Sequence, residues 1–510
     1  MCRLKRAPRG GILRGVLLTC LATVAPVAAA DVDNAAWTQA RNRPRRIIMN
    51  NDGNDNPPRP ATTASLLTQR FVGLENSHVD TIFYCTGVFN LYRHRSGESE
   101  QVGFNGKGTE AEQYTHDLNA LDTDCLEIAV RWAHEHDKEI FWSMRMNDTH
   151  DHSDKHSHRM SEWKKEHPEY LLGKRGDVFA YGGKRWSALD YGLGPVREKA
   201  YRIVRDVCTR YDIDGIELDF IRFLSYFPEA TRGEPVPQEK MDRLTDLLRR
   251  VRKLTTELAG RRGRPLLTAI RVPVSLKYCR GVGLDVRQWL EERLVDIVTG
   301  GGDFRTEPWE DLVAIGRKYD LPVYAGFDRR RIGYEHKVWR GEALSAWDAG
   351  VDGIYLFNRF NPHFPIFDEL GDPALLRSLS RVDQSLGVGP PGRAPYKWCR
   401  VGERYRYLEP RVELQRVKGS RSPTRVTVQF DAPLPEKFTS LRLEWLTEGT
   451  AWQVSPTGAT LKRPREGRAS AVFNVQIDFE LPLPWVRVDY LGPAGRISCR
   501  AQPFFSGETE

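Results

Sequence analysis

Beyond its first thirty residues the chain lacks any apolar run of the roughly 20 residues needed to cross the hydrocarbon core of a bilayer, so no integral membrane segment is expected there. It lacks a Cys-x-x-Cys pair, which excludes zinc-ribbon and thioredoxin-type uses of its cysteines. No Gly-x-Gly-x-x-Gly opens a helix after the first strand pattern, as a dinucleotide-binding fold would want, and no cofactor is expected. Internal repeats are absent. So is a charge excess of one sign. The chain carries 76 Lys and Arg against 68 Asp and Glu, and five of the basic residues fall in the first thirty positions. The remaining 71 against 68 leave a formal charge of +3, which gives no electrostatic case for nucleic acid.

What is there begins with a leader. Arg3, Lys5, Arg6, Arg9 and Arg14 precede an apolar run over 16–27, and Ala28, Ala29 and Ala30 stand before Asp31. This is the layout of a secretory signal peptide cleaved near Ala30, so a secreted or periplasmic protein is expected. Six cysteines follow the leader. Cys85 and Cys125 sit in apolar patterns and read as small core residues. Cys399 and Cys499 bracket the last hundred residues, and a disulfide between them in an oxidising compartment is left open.

From residue 45 to 362, short apolar runs alternate with helical patterns. Strands are predicted at 45–51 (RRIIMNN), 80–86 (DTIFYCT), 139–147 (EIFWSMRMN), 213–220 (IDGIELDF), 266–272 (LLTAIRV), 295–299 (VDIVT), 322–327 (PVYAGF) and 353–358 (GIYLFN). Helices are predicted at 124–136, 195–211, 240–258, 309–319 and 341–349. Alternation of this kind implies parallel strands joined by crossover helices, and eight units point to an α/β fold closed as a (β/α)8 TIM barrel over residues 31–390. Residues 391–510 change texture: a Pro- and Gly-rich linker leads into runs of period two at 425–430, 440–446, 470–479 and 485–490, which read as a β-sandwich.

Sites of such barrels lie at the C-terminal ends of the strands. Those ends are rich in carboxylates, amides and arginines: Asp52 and Asp55 after the first, Arg145, Asn147, Asp148 and His150 at the third, Glu217, Asp219 and Arg222 at the fourth. Arg271 closes the fifth, Asp303 follows Gly300-Gly301-Gly302 after the sixth, Asp328 ends the seventh and Asn358 the eighth. Strand alternation puts Glu217 and Asp219 on one face with Cα atoms about 6.5 Å apart. Two acids inside a barrel are costly unless paired or solvated. Asp219, nearer the mouth, reads as functional. Glu217 reads either as catalytic or as a structural carboxylate held by Arg145 or Arg271.

The stretch 214–219 (DGIELD) resembles the fourth strand of many glycoside-hydrolase barrels. It differs from TIM-barrel chitinases, in which Ile221 would be the catalytic Glu. Residues 215–222 (GIELDFIR), with Met146-Asn147-Asp148 after the third strand, more closely resemble the bacterial barrels called glycosyl hydrolase-like 10. The resemblance covers about residues 45–365 and implies hydrolysis of glycosidic bonds by two carboxyl groups, one giving a proton and one acting as nucleophile or base. Barrels similar to the α-galactosidase group place the nucleophile on strand four and the acid on strand six. This implies Asp219 with Asp303, and Asp328 is the runner-up. Arg145, Asn147, Asp148, His150, Arg222, Arg271 and Asn358 are then the expected substrate contacts.

Residues 147–158 (NDTHDHSDKHSH) hold four histidines and three aspartates. A hydrophilic loop touching substrate is favoured over a metal site, because the spacing matches no zinc signature. Trp163, Trp186, Tyr191 and Tyr226 are the expected subsite walls, and Trp142 is expected in the core. Trp445, Trp452 and Trp485 fill the second domain or form a carbohydrate-binding face. The favoured function is a secreted glycoside hydrolase acting on an extracellular poly- or oligosaccharide. The alternatives are a silent glycan- or protein-binding barrel and a metal-dependent hydrolase using the His/Asp loop.

Overall fold

The computed structural model describes residues 32–380, apart from 105–108, 180–184, 303–308 and 330–335, and then the backbone of strands between 385 and 509. Eight parallel strands close into a barrel: β1 (Ile47–Asn51), β2 (Val79–Tyr84), β3 (Glu139–Arg145), β4 (Gly215–Asp219), β5 (Leu267–Val272), β6 (Ile297–Gly302), β7 (Val323–Phe327) and β8 (Gly353–Leu356). Each pairs with its neighbour in sequence, and β8 closes on β1 with Ile47 opposite Ile354. The expected alternation therefore stands.

The strands are apolar on both faces because both are covered. Outward side chains such as Met49, Ile82, Trp142, Ile216, Leu218 and Ile270 join the large core under the helices. Inward ones, among them Ile48, Phe83, Phe141, Ala269, Tyr324 and Tyr355, fill the barrel. The covering helices are α1 (Asn34–Arg41), α2 (Thr63–Arg70), α3 (Cys125–Glu135), α4 (Gly194–Arg210), α5 (Gln238–Arg262), α6 (Val286–Glu291), α7 (Trp309–Tyr319) and α8 (His336–Ala349). α3 starts where Asp124 accepts the amides of Leu126 and Glu127 at 2.9 and 3.0 Å, satisfying two of its free N–H groups. Cys85, Cys125, Cys208 and Cys279 are buried free thiols.

Strand ends shift for local reasons. The first strand begins at Ile47 because Arg45 has another task. Its guanidinium plugs the bottom of the barrel, binding Glu139 at 2.7 and 2.9 Å and three carbonyls of residues 40–43. The sixth strand runs on through Gly300–Gly302. A Cβ at Gly302, where φ is 138°, would lie 2.4 Å from a guanidinium nitrogen of Arg271, so glycine makes room for that side chain. The third strand stops at Arg145, and residues 146–179 and 185–193 lie over the mouth. Residues 85–104, after the second strand, hold a small sheet of Gly87–Val88, Leu91–Tyr92 and Glu100–Gln101.

Among the described residues no helix is long and apolar enough to cross a membrane. After residue 384 the described backbone forms two five-stranded sheets. One orders Ser385–Leu386, Gly495–Ala501, Trp485–Gly492, Ser440–Thr447 and Thr450–Val454. The other orders Thr460–Lys462, Ser470–Asn474, Arg425–Gln429, Arg411–Val417 and Phe504–Thr509. The linker, Cys399, and the side chains of Cys499, Trp445, Trp452 and Trp485 lie outside the described residues.

The Arg45–Glu139 pair yields a test. Arg45→Met leaves a buried carboxylate without its cation, which costs about 3–5 kcal/mol. The barrel's denaturant midpoint is expected to fall accordingly, and Arg45→Met with Glu139→Met to fall less than Arg45→Met alone. Equal losses would show that the pair does not hold the barrel floor.

Candidate functional site

Among the described residues, the C-terminal ends of β3, β4 and β5 bring several charged side chains together. Asp219, at the end of β4, is gripped by Arg271 of β5: Nε meets Oδ1 at 3.0 Å and a terminal nitrogen meets Oδ2 at 2.8 Å. The backbone amides of Ile221 and Arg222 also donate to Oδ1, at 3.1 and 3.3 Å. A fork of this kind is the strong, directional form of carboxylate recognition. Both partners are buried, Asp219 at 1 % exposure and Arg271 at 0 %. The Phe357 ring lies against a face of the guanidinium, with its centroid 3.9 Å from the Arg271 carbon.

Glu217 lies one layer below and is fully buried. Ser143 and Tyr355 donate to its Oε2, the latter at 3.1 Å, and Oε1 has no partner. Burial, reinforced by the charge of Asp219, pushes its pKa up to about 8. The structure thus corrects two expectations. Neither Arg145 nor Arg271 hydrogen-bonds this carboxyl, and a neutral acid sunk beneath Asp219 and the packed tyrosine offers no oxygen to a ligand at the mouth.

Above β3 the chain builds a second cluster. Asp148 accepts from the His150 backbone amide at 2.8 Å and pairs with its Nδ1 at 2.7 Å and with Arg145 at 3.3 Å. Burial raises the Asp148 pKa, but His150, Arg145 and Arg222 together hold it well below the usual carboxylate range. Asp148 also pulls the His150 pKa up, yet burial and the two arginines bring it below its ordinary value. The imidazole is therefore neutral, giving Nδ1–H to Asp148 and accepting from Arg222 at Nε2, 3.1 Å away. Arg145 reaches the side chain of Asn358 at 3.4 Å, and the Asn358 backbone amide donates to Asn50 at 3.3 Å.

These residues border a groove on the β1–β4 side of the mouth, lined by Asp52, Arg93, Arg145, His150, Arg159 and Arg222 among others. Of the expected contacts, Arg145, His150 and Arg222 line it and Asp148 braces it from behind. Asn147 does not qualify. It is fully buried, its amide donates to the carbonyls of Leu189 and Ser225, and its oxygen accepts from the Leu189 amide at 2.8 Å. That side chain staples two mouth segments together and has nothing left for a ligand. Asp328 follows β7 at 4 % exposure, and Asp303 lies outside the described residues. Asp55 is buried with Arg70 and Tyr84, away from the barrel interior.

Sequence reasoning passed over Arg93 and Arg159, and also Glu112, which pairs with Arg93. They sit in the long segments after β2 and β3, so a search confined to strand ends could not find them. Phe357 was also passed over, although it follows β8 directly. The walls expected from Tyr191 and Tyr226 are core instead. Both are fully buried, and their rings pack edge to face at 5.3 Å.

In the His-rich loop, Asp151 pairs with Lys164 at 2.9 Å and accepts from Ser187 at 2.6 Å, and His152 contacts the Thr149 carbonyl at 2.7 Å. Among the described residues no group of three or more His, Cys, Asp or Glu is placed to hold a metal ion. Asp151 and His152 are thus tied into the rim.

A neutral Glu217 has a pH signature. Between its usual value of 4.5 and about 8, the unfolded chain releases this proton while the folded chain keeps it. The contribution of this group to stability therefore falls as pH rises through that window. Glu217→Gln keeps a neutral group at every pH. The melting temperature of the variant minus that of the parent is expected to increase from pH 5 to pH 8, and a difference independent of pH would show that Glu217 is ionised in the fold.

No protein-family model matches the chain, and no curated protein matches it. Among solved structures, it is similar to alpha-L-fucosidase isoenzyme 2 from Paenibacillus thiaminolyticus at 13 % identity and a TM-score of 0.40, over 66 % of this chain and 49 % of that one. The glycoside hydrolase domain of PgaB (BpsB) from Bordetella bronchiseptica is 10 % identical with a TM-score of 0.43, over 64 % of this chain and 98 % of that one. The GH36 alpha-galactosidase AgaA from Geobacillus stearothermophilus is 10 % identical with a TM-score of 0.39, over 85 % of this chain and 56 % of that one. The chain thus spans about half the length of the fucosidase and of the galactosidase. All three neighbours are glycoside hydrolases by name. The barrel itself rests on the strand pairing described above.

Proposed function

We propose that the protein is a secreted glycoside hydrolase of the glycosyl hydrolase-like 10 kind, acting at the C-terminal mouth of its barrel on an extracellular poly- or oligosaccharide. The observation that carries this reading is the state of Asp219. It is an aspartate at the end of β4 whose Oδ1 takes three hydrogen bonds while Oδ2 takes one, from Arg271. Oδ2 keeps a lone pair, and the guanidinium of Arg271 fixes the direction in which it points. Asp303 is the assigned proton donor, with Asp328 the alternative, since hydrolysis requires a second carboxyl across the bond. Arg145, His150 and Arg222 hold sugar hydroxyls, and Asn358 orients Arg145. The two C-terminal sheets are read as the faces of a β-sandwich following the barrel.

A second reading is favoured by one observation: Asp219 is 1 % exposed beneath Arg271 and Phe357. A barrel closed there would bind glycans without cleaving them.

Release of reducing ends from a polysaccharide panel separates the two. Hydrolysis predicts activity in the parent and a loss of roughly 10²–10⁴-fold on Asp219→Asn, with binding retained and with folding checked by circular dichroism. Asp328→Asn is measured alongside. A loss of similar size there assigns Asp328 as the donor, unchanged activity removes it, and Asp303→Asn then tests the remaining candidate. Binding without any reducing-end release, in parent and variants alike, would overturn the hydrolytic reading and establish the second.

A further inference from the structure

His150 and Arg222 stand side by side along the groove, and each is held in place from elsewhere. The side chain of Asp148 is fully buried. Its Oδ1 takes both the His150 backbone amide and Nδ1, at 2.8 and 2.7 Å, while Arg145 meets Oδ2 at 3.3 Å. Two bonds from one residue to one carboxylate oxygen fix the plane of the ring. With the proton on Nδ1, Nε2 is an acceptor. Arg222 brings a terminal nitrogen to it at 3.1 Å. The turn after β4 fixes where that side chain starts, since the Arg222 amide donates to Asp219 at 3.3 Å. The rings of Phe223 and Phe357 lie 5.1 and 5.4 Å from the guanidinium carbon.

The result is one donor beside one acceptor, with the His150 side chain 21 % exposed. A sugar hydroxyl is both at once, since its oxygen accepts and its proton donates. It can take an N–H from the guanidinium while giving its O–H to Nε2, and each bond then polarises the other. A carboxylate, which only accepts, satisfies half of this pair. An ammonium group, which only donates, satisfies the other half.

We propose that His150 and Arg222 are the specificity-determining pair of the groove: together they recognise a sugar hydroxyl as donor and acceptor, Asp148 acts through His150 as a positioning residue, and the recognition is lost when the imidazole takes a second proton. The inference rests on the reading of the mouth as a glycan site, and it names what that site reads. Protonation turns Nε2 into a second donor beside the guanidinium. The hydroxyl loses its acceptor, and two cations come to face each other across 3.1 Å. This holds whatever else Arg222 touches, because it concerns the acceptor alone. The charged groups around the imidazole are Asp148 beside it, Arg145 from β3, Arg222 after β4, and His156, whose ring centroid is 6.3 Å away. Asp52, Arg93, Glu112 and Arg159 line the same groove. Asp148 favours the second proton, whereas burial and the two arginines oppose it and prevail, so the change falls below the ordinary imidazole value of 6.5. Recognition is therefore present above that value and is lost as pH falls through the folded pKa.

The test has two arms, both on the intact protein. Nitrogen-15 spectra of the histidine rings, with the His150 signals identified by their loss in His150→Gln, are expected to show a proton on Nδ1 at pH 7 and titration below pH 6.5. A proton on Nε2 at pH 7 would overturn the inference without reference to any ligand. Calorimetric titration with maltohexaose, cellohexaose and xylohexaose from pH 5 to pH 8 reads the recognition itself. The tightest binder of the three is expected to weaken about tenfold between pH 8 and pH 5. His150→Gln offers a carbonyl acceptor that does not titrate, so its binding is expected to be flat over that range. His150→Phe, which has no acceptor, is expected to bind about ten- to a hundredfold more weakly than the parent at pH 8. Circular dichroism checks that both variants fold. His134→Gln, beside Asp214 at the opposite end of the barrel, is expected to keep the pH dependence of the parent. A pH dependence that survives in His150→Gln would overturn the inference and leave the glycan reading standing. So would parent binding that is the same from pH 5 to pH 8. Failure of every oligosaccharide to bind, with the ring spectra as expected, would remove the glycan reading, and the inference with it.

Discussion

The mouth of this barrel is organised around one ion pair buried where the strands end. Asp219 and Arg271 are adjacent across β4 and β5, and their charges satisfy each other in a fork geometry. The surroundings adapt to that pair. Gly302 gives up its side chain to leave room for the guanidinium, Phe357 covers it, and the turn after β4 bends so that two amides reach the carboxylate. One layer down, burial first and the charge of Asp219 second push the Glu217 pKa up to about 8 and keep it protonated. Breaking the pair from either side leaves an uncompensated buried charge, so each residue constrains the other's replacement.

Much of this architecture was legible in the sequence. Strand alternation with helical patterns gave the closed barrel, and strand ends collected Arg145, Asp148, His150, Asp219, Arg222 and Arg271 at the mouth. What could not be read were partnerships that depend on registers between distant strands. From the sequence Glu217 reads either as catalytic or as a carboxylate held by Arg145 or Arg271, whereas Ser143, opposite it in the β3–β4 register, and Tyr355 of β8 take it. Asn147 looks like a substrate contact because amides often are, yet it spans a gap between two mouth segments and is consumed there. Arg45 looked like the start of a strand, but its guanidinium turns inward to Glu139. Arg93 and Arg159 were hidden because long loops carry no periodicity to say which way they fold back.

In the proposed reading the two clusters divide the work. Asp219 is the side chain for chemistry at a sugar carbon. The groove beside it holds sugar hydroxyls through Arg145, His150 and Arg222, with Asp148 holding Arg145 and His150 holding Arg222 in place. An extended glycan would run from the groove toward β4.

The most direct measurement is a crystal structure of the Asp219→Asn variant with an oligosaccharide bound. The account predicts an anomeric carbon about 3–3.5 Å from the side chain at position 219, with hydroxyls of the adjoining sugar on Arg145, His150 and Arg222. A saccharide resting above an undisturbed Phe357, out of reach of position 219, would contradict it.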